Sequence, residues 1–238
     1  MRGKSVLLTI AIVVVLAGSA GSSLAFLLRH QPAFYLRAAI PPGAHRTKSA
    51  DAFVGEFARL LAGISDKRQW DGQFTDEQIN SYCQENFLKP HALDQPLPER
   101  TSDPRVALDP EGIRFGFRYG SGWWSTVVSI NLKVWLVAKE PNLVALEFHG
   151  MYAGALPIAS QSLLERVSSA ARQYHIDPTW YRHNGHPVLL LRFQASRSRP
   201  TVQLQRLDLH QGKLYIGGRS LDTTPQANVD AGRQDTAN

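Results

Sequence analysis

Four short stretches hold residue types that could do chemistry. His175, Asp177, His183 and His186 form the one ligand-rich stretch. A His183-x-x-His186 pair with Asp177 as third donor has the nitrogen and oxygen atoms a divalent metal takes. Asn184-Gly185 between the histidines is a turn signal, however, and no Cys or Glu lies close by in sequence. The stretch is therefore expected to be a solvated loop. Gly120-Ser121-Gly122-Trp123-Trp124-Ser125 raises the question of a nucleophilic serine. A nucleophile elbow needs G-x-S-x-G between a strand and a helix; this stretch lacks the pattern and precedes a strand. The expectation is a turn followed by aromatic packing in the core or at a sheet edge. The second reading for paired indoles is stacking on sugars or a seat at a membrane interface.

Asp66, Asp71, Asp76 and Glu77 surround Trp70. Two carboxylates can hydrolyse a glycoside when they face each other across the bond, but these four read as loop and helix-cap residues. Gly217-Gly218-Arg219-Ser220 lacks the lysine and following helix of a phosphate loop. Cys83 is the single cysteine, so the chain has no internal disulfide. A reactive thiol needs a histidine partner and electropositive surroundings, whereas Cys83 lies on an amphipathic stretch that suits packing. No catalytic residue, metal ligand or cofactor is assigned.

The elements that would position any site follow from periodicity. Phe53, Phe57, Leu60, Leu61 and Ile64 recur at helical spacing and predict a helix from about Ala50 to Ile64, capped by Ser49 or Asp51. Thr75-Asp76-Glu77-Gln78 has a capping-box pattern with acidic residues in the first turn, and Ile79, Tyr82, Cys83 and Phe87 then share a face. Lys89 to Pro104 reads as a polar, proline-rich loop. Ile113, Phe115, Phe117 and Tyr119 alternate with polar or small residues, as in a half-buried strand. Val128, Ile130, Leu132, Val134 and Leu136 continue the pattern, Glu140-Pro141-Asn142 supplies a turn, and Leu143 to His149 returns as the second arm of a hairpin. Leu163, Leu164, Val167, Ala170, Ala171 and Tyr174 predict a third helix over about Ser160 to Tyr174, ended by Asp177-Pro178. Short strands are expected around Pro187–Phe193, Thr201–Leu209 and Lys213–Ile216, with a turn at His210-Gln211-Gly212.

Ahead of all this, Arg2 and Lys4 precede a run from Val6 to Leu28 without a charged residue. At about 1.5 Å per residue it can cross a hydrocarbon core of about 30 Å as a helix. A cleaved signal peptide is the rival reading, with Ser23-Leu24-Ala25 as its cleavage signal. Phe26-Leu27-Leu28 extends the apolar run beyond that point and favours an anchor. The basic N-terminus favours a cytoplasmic start, although Arg29, Arg37, Arg46 and Lys48 on the far side weaken the charge bias.

The order of elements resembles the YpmS-like family of uncharacterised bacterial membrane-anchored proteins. The resemblance rests on the anchor, on Phe74-Thr75-Asp76-Glu77-Gln78-Ile79-Asn80 at a helix start, on long antiparallel strands, and on Gly212-Lys213-Leu214-Tyr215-Ile216-Gly217-Gly218 near the end. It implies a membrane-held domain and no established activity.

The net charge of +6 suits anionic partners, but the basic residues are scattered and no nucleic-acid-binding motif is present. Nucleic acid is set aside. The expected architecture is α+β: an N-terminal transmembrane helix, then an antiparallel sheet packed with about three amphipathic helices. Residues 1–30 are expected to be the anchor, with residues 6–28 in the bilayer; 31–48 a stalk; 49–218 an extracytoplasmic domain; and 219–238 a disordered polar tail. The expected function is non-enzymatic binding of a lipid or other amphiphile in a groove lined by Phe115, Phe117, Trp123, Trp124, Ile130, Leu132 and Val134. The alternative is a cell-envelope scaffold or protein-interaction domain; an envelope hydrolase is the least favoured reading.

Overall fold

The computed structural model describes residues 2–66, 69–87, 100–138, 140–159, 161–173, 177–192 and 201–221. The predicted tail from 222 onwards, most of the predicted 89–104 loop, and His175 lie outside the described residues. Helix α1 (Arg2–Arg29) includes Ile12–Arg29, a segment long and apolar enough to cross a membrane, none of which is buried inside the protein.

The segment expected as a stalk instead folds back onto the domain. It holds α2 (Ala33–Arg37), whose Phe34 and Tyr35 are buried against Val127. These rings occupy the space over Gly116: a Cβ there would lie 2.9 Å from the Tyr35 ring and 3.2 Å from that of Phe34. The Tyr35 hydroxyl donates to the Asp103 carbonyl at 2.8 Å, and Arg105 donates to the Tyr35 carbonyl at 2.7 Å. The prolines around this segment mark its ends. Helix α3 (Ala44–Asp66) then begins ahead of the expected Ala50.

Strand β1 (Gln69–Thr75) corrects the reading of this stretch as a loop. Trp70, Gly72 and Phe74 point inward while Gln69, Asp71 and Gln73 point out, a period of two. The capping box is present at α4 (Asp76–Tyr82): the Thr75 hydroxyl accepts from Gln78 N–H, and the Gln78 side chain accepts from Thr75 N–H. One π-type turn, Cys83–Phe87, extends the helix.

The remaining elements are β2 (Thr101–Asp109), β3 (Gly112–Tyr119), β4 (Thr126–Leu136), β5 (Leu143–Ala153), β6 (Leu156–Pro157), α5 (Gln161–Gln173), β7 (Asp177–His183), β8 (His186–Arg192), β9 (Val202–His210) and β10 (Lys213–Ser220). The chain is α+β, and its strands divide into two antiparallel sheets. One has the order β2-β3-β4-β5-β8-β7, with β6 against the end of β5; the other has the order β1-β10-β9. Strands β2 and β7 are additions to the predicted set. Both contain a proline and both lie at a sheet edge, where a missing N–H is tolerated. In β2 a register shift between Ser102 and Arg105 accommodates Pro104. The β4–β5 hairpin pairs Leu136 with Val144, and Asn142 in its turn has a φ of 59°.

Three apolar clusters follow from the layers. Phe117, Val128, Ile130, Phe148 and Leu189 pack beneath α5 through Leu164 and Val167. Phe34, Tyr35 and Val127 form the second, under α2. Leu60 of α3 covers Trp70 and Phe74 in the third.

The two sheets are joined by side-chain amides. Buried Asn80 of α4 accepts from Val106 N–H at 2.6 Å and donates to Val106 C=O at 2.8 Å, on edge strand β2. Buried Asn142 accepts from Leu204 N–H at 2.7 Å and donates to Val202 C=O at 2.6 Å, on edge strand β9. Each amide offers an edge strand the donor and acceptor that a neighbouring peptide would supply.

The end of α1 is fixed to the larger sheet. The Leu27 carbonyl accepts from Ala155 N–H at 2.8 Å and the Leu28 carbonyl from the Thr126 hydroxyl at 2.5 Å. Gly154, with a φ of 62°, is needed here because a Cβ would lie 2.2 Å from the Leu27 oxygen.

Asn80→Ala removes both bonds to Val106 and strips two backbone groups of their partner. Chemical unfolding of the full chain in detergent micelles should show a loss of about 2–4 kcal/mol, against almost none for an alanine at exposed Gln205.

Candidate functional site

The predicted groove residues separate into two groups. Strand pairing sets Phe117 opposite Val128, Phe115 opposite Ile130, and Val134 opposite Leu146, all on one face of the larger sheet together with Leu132. Phe117 and Ile130 are buried, while Phe115, Leu132 and Val134 are half-buried. Among the described residues, α5 is the helix packed on this face. It buries Ser168 and Ala171 and presents Glu165, Arg166 and Arg172 to solvent. The Trp180 indole N–H donates to the Ser168 hydroxyl at 2.7 Å and holds the helix over the sheet. Leu146, Met151 and Leu191 at its margin remain half-buried. The result is an apolar face under a single cover.

Trp123 and Trp124 do not join that face. They sit in a one-turn 3-10 helix (Gly122–Trp124) between β3 and β4, 73% and 88% exposed. The expectation of core or sheet-edge packing is corrected here. The β3–β4 connection runs past the end of the sheet, where a φ of 55° at Gly122 turns the indoles outward. The Ser125 hydroxyl donates to the Gly122 carbonyl at 3.0 Å and is committed to the turn.

The other face of the larger sheet carries an open cleft of about 980 Å³, bordered by Asp109, Arg114, Asn131, Lys133, His149 and Gln211. Asp109 accepts from Arg114 Nε at 2.8 Å and from Gln211 at 3.3 Å, so the cleft's arginine is neutralised by its neighbour. Beside His149 lies Glu147, whose side chain is 6% exposed. Its carboxylate oxygens are 3.6 Å from His149 Nε2 and 3.6 Å from His183 Nδ1. The His186 ring lies 4.6 Å from that of His149.

His183 is thus brought to Glu147, a partner the sequence hides inside the apolar run of β5, and His186 to the ring of His149. Their Asn184-Gly185 link is a two-residue hairpin turn with φ of 50° and 84°, tighter than the expected loop. The side chain of Asp177 lies outside the described residues. Among the described residues, no three or more His, Cys, Asp or Glu side chains are placed to hold a metal ion. The Glu147 group is a buried carboxylate with two imidazole nitrogens 3.6 Å away. A β-ladder places it with the cleft, where it can hydrogen-bond a polar ligand.

Cys83 is half-buried. Burial pushes its thiol up to about 11 from an ordinary 9.0. Arg105 lies over the Tyr35 ring at 4.2 Å, yet burial still raises the Tyr35 phenol above its usual value. Comparison with known proteins gives no match to a family model, a curated protein or a solved structure.

The upward shift fixes the sign of a pH effect. The buried neutral thiol contributes stability below 9.0, and that contribution is lost as pH rises through about 11. Near pH 8, alkylation of Cys83 by iodoacetamide should be about a hundredfold slower in the native chain than in urea. Mass spectrometry reads both rates, and equal rates would show an accessible thiolate.

Proposed function

We propose that this chain is a single-pass membrane protein whose domain stands on the extracytoplasmic side and binds a lipid or other amphiphile without catalysing a reaction. The observation that carries this reading is the apolar sheet face under one short helix. Phe115, Leu132, Leu146, Met151 and Leu191 stay half-buried around α5. A ligand tail that slid beneath α5 would remove that surface from water, at about 0.8 kcal/mol per buried methylene. The amphipathic α5 is suited to lift as a unit. Among the described residues, one indole–hydroxyl bond, the Leu164 and Val167 contacts and the burial of Ser168 and Ala171 hold it. The basic Arg2 and Lys4 before the apolar run support a cytoplasmic N-terminus.

The resemblance to YpmS-like proteins supports the membrane-held domain and implies no activity, and its two sequence words have structural duties in this chain. Thr75 and Gln78 form the capping box, and Asn80 clasps β2. Gly212 to Gly218 covers the β9–β10 turn and most of β10.

A scaffold role is the second reading, favoured by β7. It ends the larger sheet, and among the described residues no strand pairs with its outer edge. An extended segment of a partner could add there.

Native mass spectrometry of the full chain in mild detergent, followed by lipid extraction, tests the first reading. A reproducible bound mass is expected. Leu132→Glu, which puts a charge on the apolar face, should remove it, while Gln205→Ala, at an exposed position on the smaller sheet, retains it. A ligand-free chain, under conditions where a known lipid-binding protein keeps its lipid, would move the search to a protein partner at β7.

A further inference from the structure

The β3–β4 turn meets the end of α1, and what gathers there is chemically specific. Trp123 and Trp124 are 73% and 88% exposed, an arrangement that leaves two large indoles in water. Tryptophan is enriched where a bilayer meets water, because its ring is apolar and its N–H can hydrogen-bond. The height of the pair along α1 is fixed by Arg29, the last residue of the Ile12–Arg29 span. The Arg29 guanidinium lies 3.5 Å from the centre of the Trp123 ring and donates to the Trp123 carbonyl at 3.1 Å. The indoles therefore stand level with the end of the apolar helix. The turn itself is held to the end of the helix, because the Thr126 hydroxyl, two residues beyond Trp124, donates to the Leu28 carbonyl.

Beneath Trp123 is a polar pocket of about 230 Å³, lined by Arg29, Gln31, Arg118, Ser125 and Thr126. Its charge is incompletely balanced. Among the described residues no carboxylate pairs with Arg29, and the partner of Arg118 is Asp103, at 3.6 Å. Two guanidinium groups and an amide keep N–H donors of the kind a phosphate monoanion takes, while the Ser125 and Thr126 hydroxyls already donate to the Gly122 and Leu28 carbonyls. On the membrane side, Phe26 is 76% exposed on α1 and offers apolar surface to acyl chains.

We propose that this pocket and the Trp123–Trp124 turn form a phospholipid-headgroup site. The phosphate sits between Arg29 and Arg118, the indoles lie at the glycerol level, and the acyl chains run along α1. The domain then rests on the bilayer at two points, the helix and the turn. The proposal depends on α1 spanning the membrane; it does not depend on what the apolar sheet face binds.

The full chain is reconstituted into vesicles of phosphatidylcholine and phosphatidylglycerol with acyl chains brominated near the glycerol, and tryptophan emission is compared with that in unbrominated vesicles. Strong quenching is expected, and Trp123→Phe with Trp124→Phe should abolish most of it, since of the other three tryptophans Trp70 is buried and Trp135 and Trp180 are half-buried within strands of the larger sheet. In neutral detergent, titration with short-chain phosphatidylglycerol should change the emission. Arg29→Gln and Arg118→Gln should each weaken that response by about fivefold. Inorganic phosphate at equal concentration should leave the emission unchanged; an equal response to it would mean a site for free anions and overturn the lipid assignment. Flotation of the vesicles separates the two failures. A chain that floats but whose quenching is unchanged by the double tryptophan substitution overturns the headgroup site alone. A chain that does not float overturns the anchor as well.

Discussion

Two buried amides hold this domain together. The larger and smaller sheets share no continuous ladder, and each ends in a strand whose backbone would face the junction unpaired. Asn80 satisfies β2 and Asn142 satisfies β9, each through one donated and one accepted bond. Asparagine is suited to this because its amide reproduces a peptide group on a short side chain. Gly212 N–H adds a backbone bond to the Leu108 carbonyl at 2.8 Å. Edge strands are where sheets recruit unwanted partners, so the same bonds that join the sheets also close two of their edges.

The anchor belongs to this structure as much as the sheets do. A helix that ended in a flexible stalk would leave the orientation of the domain undefined. Here the last carbonyls of α1 are capped by Ala155 and Thr126, and the chain turns at once into α2, which buries Phe34 and Tyr35 on the larger sheet. Tilting the helix would mean disturbing the strands.

The sequence made the strongly periodic elements legible: the apolar helix, the capping box at Thr75, the 113–119 strand, the hairpin that turns at Asn142, and α5. What escaped it was short or edge-bound. In β1, Trp70, Gly72 and Phe74 are separated by residues that look like loop, and glycine at a buried position hides the alternation. Pro104 and Pro178 mask β2 and β7, because an internal proline counts against a strand unless that strand is known to lie at an edge. Phe34 and Tyr35 looked like part of a stalk because two residues carry no period. The site was less legible still. The apolar residues of β3 and β4 were found, but the partnership of Glu147 with His149 and His183, from β5 and β7, depends on strand order. The glycines around Trp123 and Trp124 announced a turn without its direction.

Strand β1 directly follows the first long helix of the domain, yet among the described residues its hydrogen-bonded neighbour in the sheet is β10, at the far end of the described chain. Everything from α4 to β9 lies between them in sequence. A nascent chain leaving the ribosome therefore carries Trp70 and Phe74 with nothing to pair with until β10 has been made, and contacts so distant along the chain form slowly. The smaller sheet closes the domain in time as well as in space. A premature stop ahead of Lys213 would strand an already synthesised N-terminal half with the β1 backbone unpaired, a species for quality-control proteases to recognise.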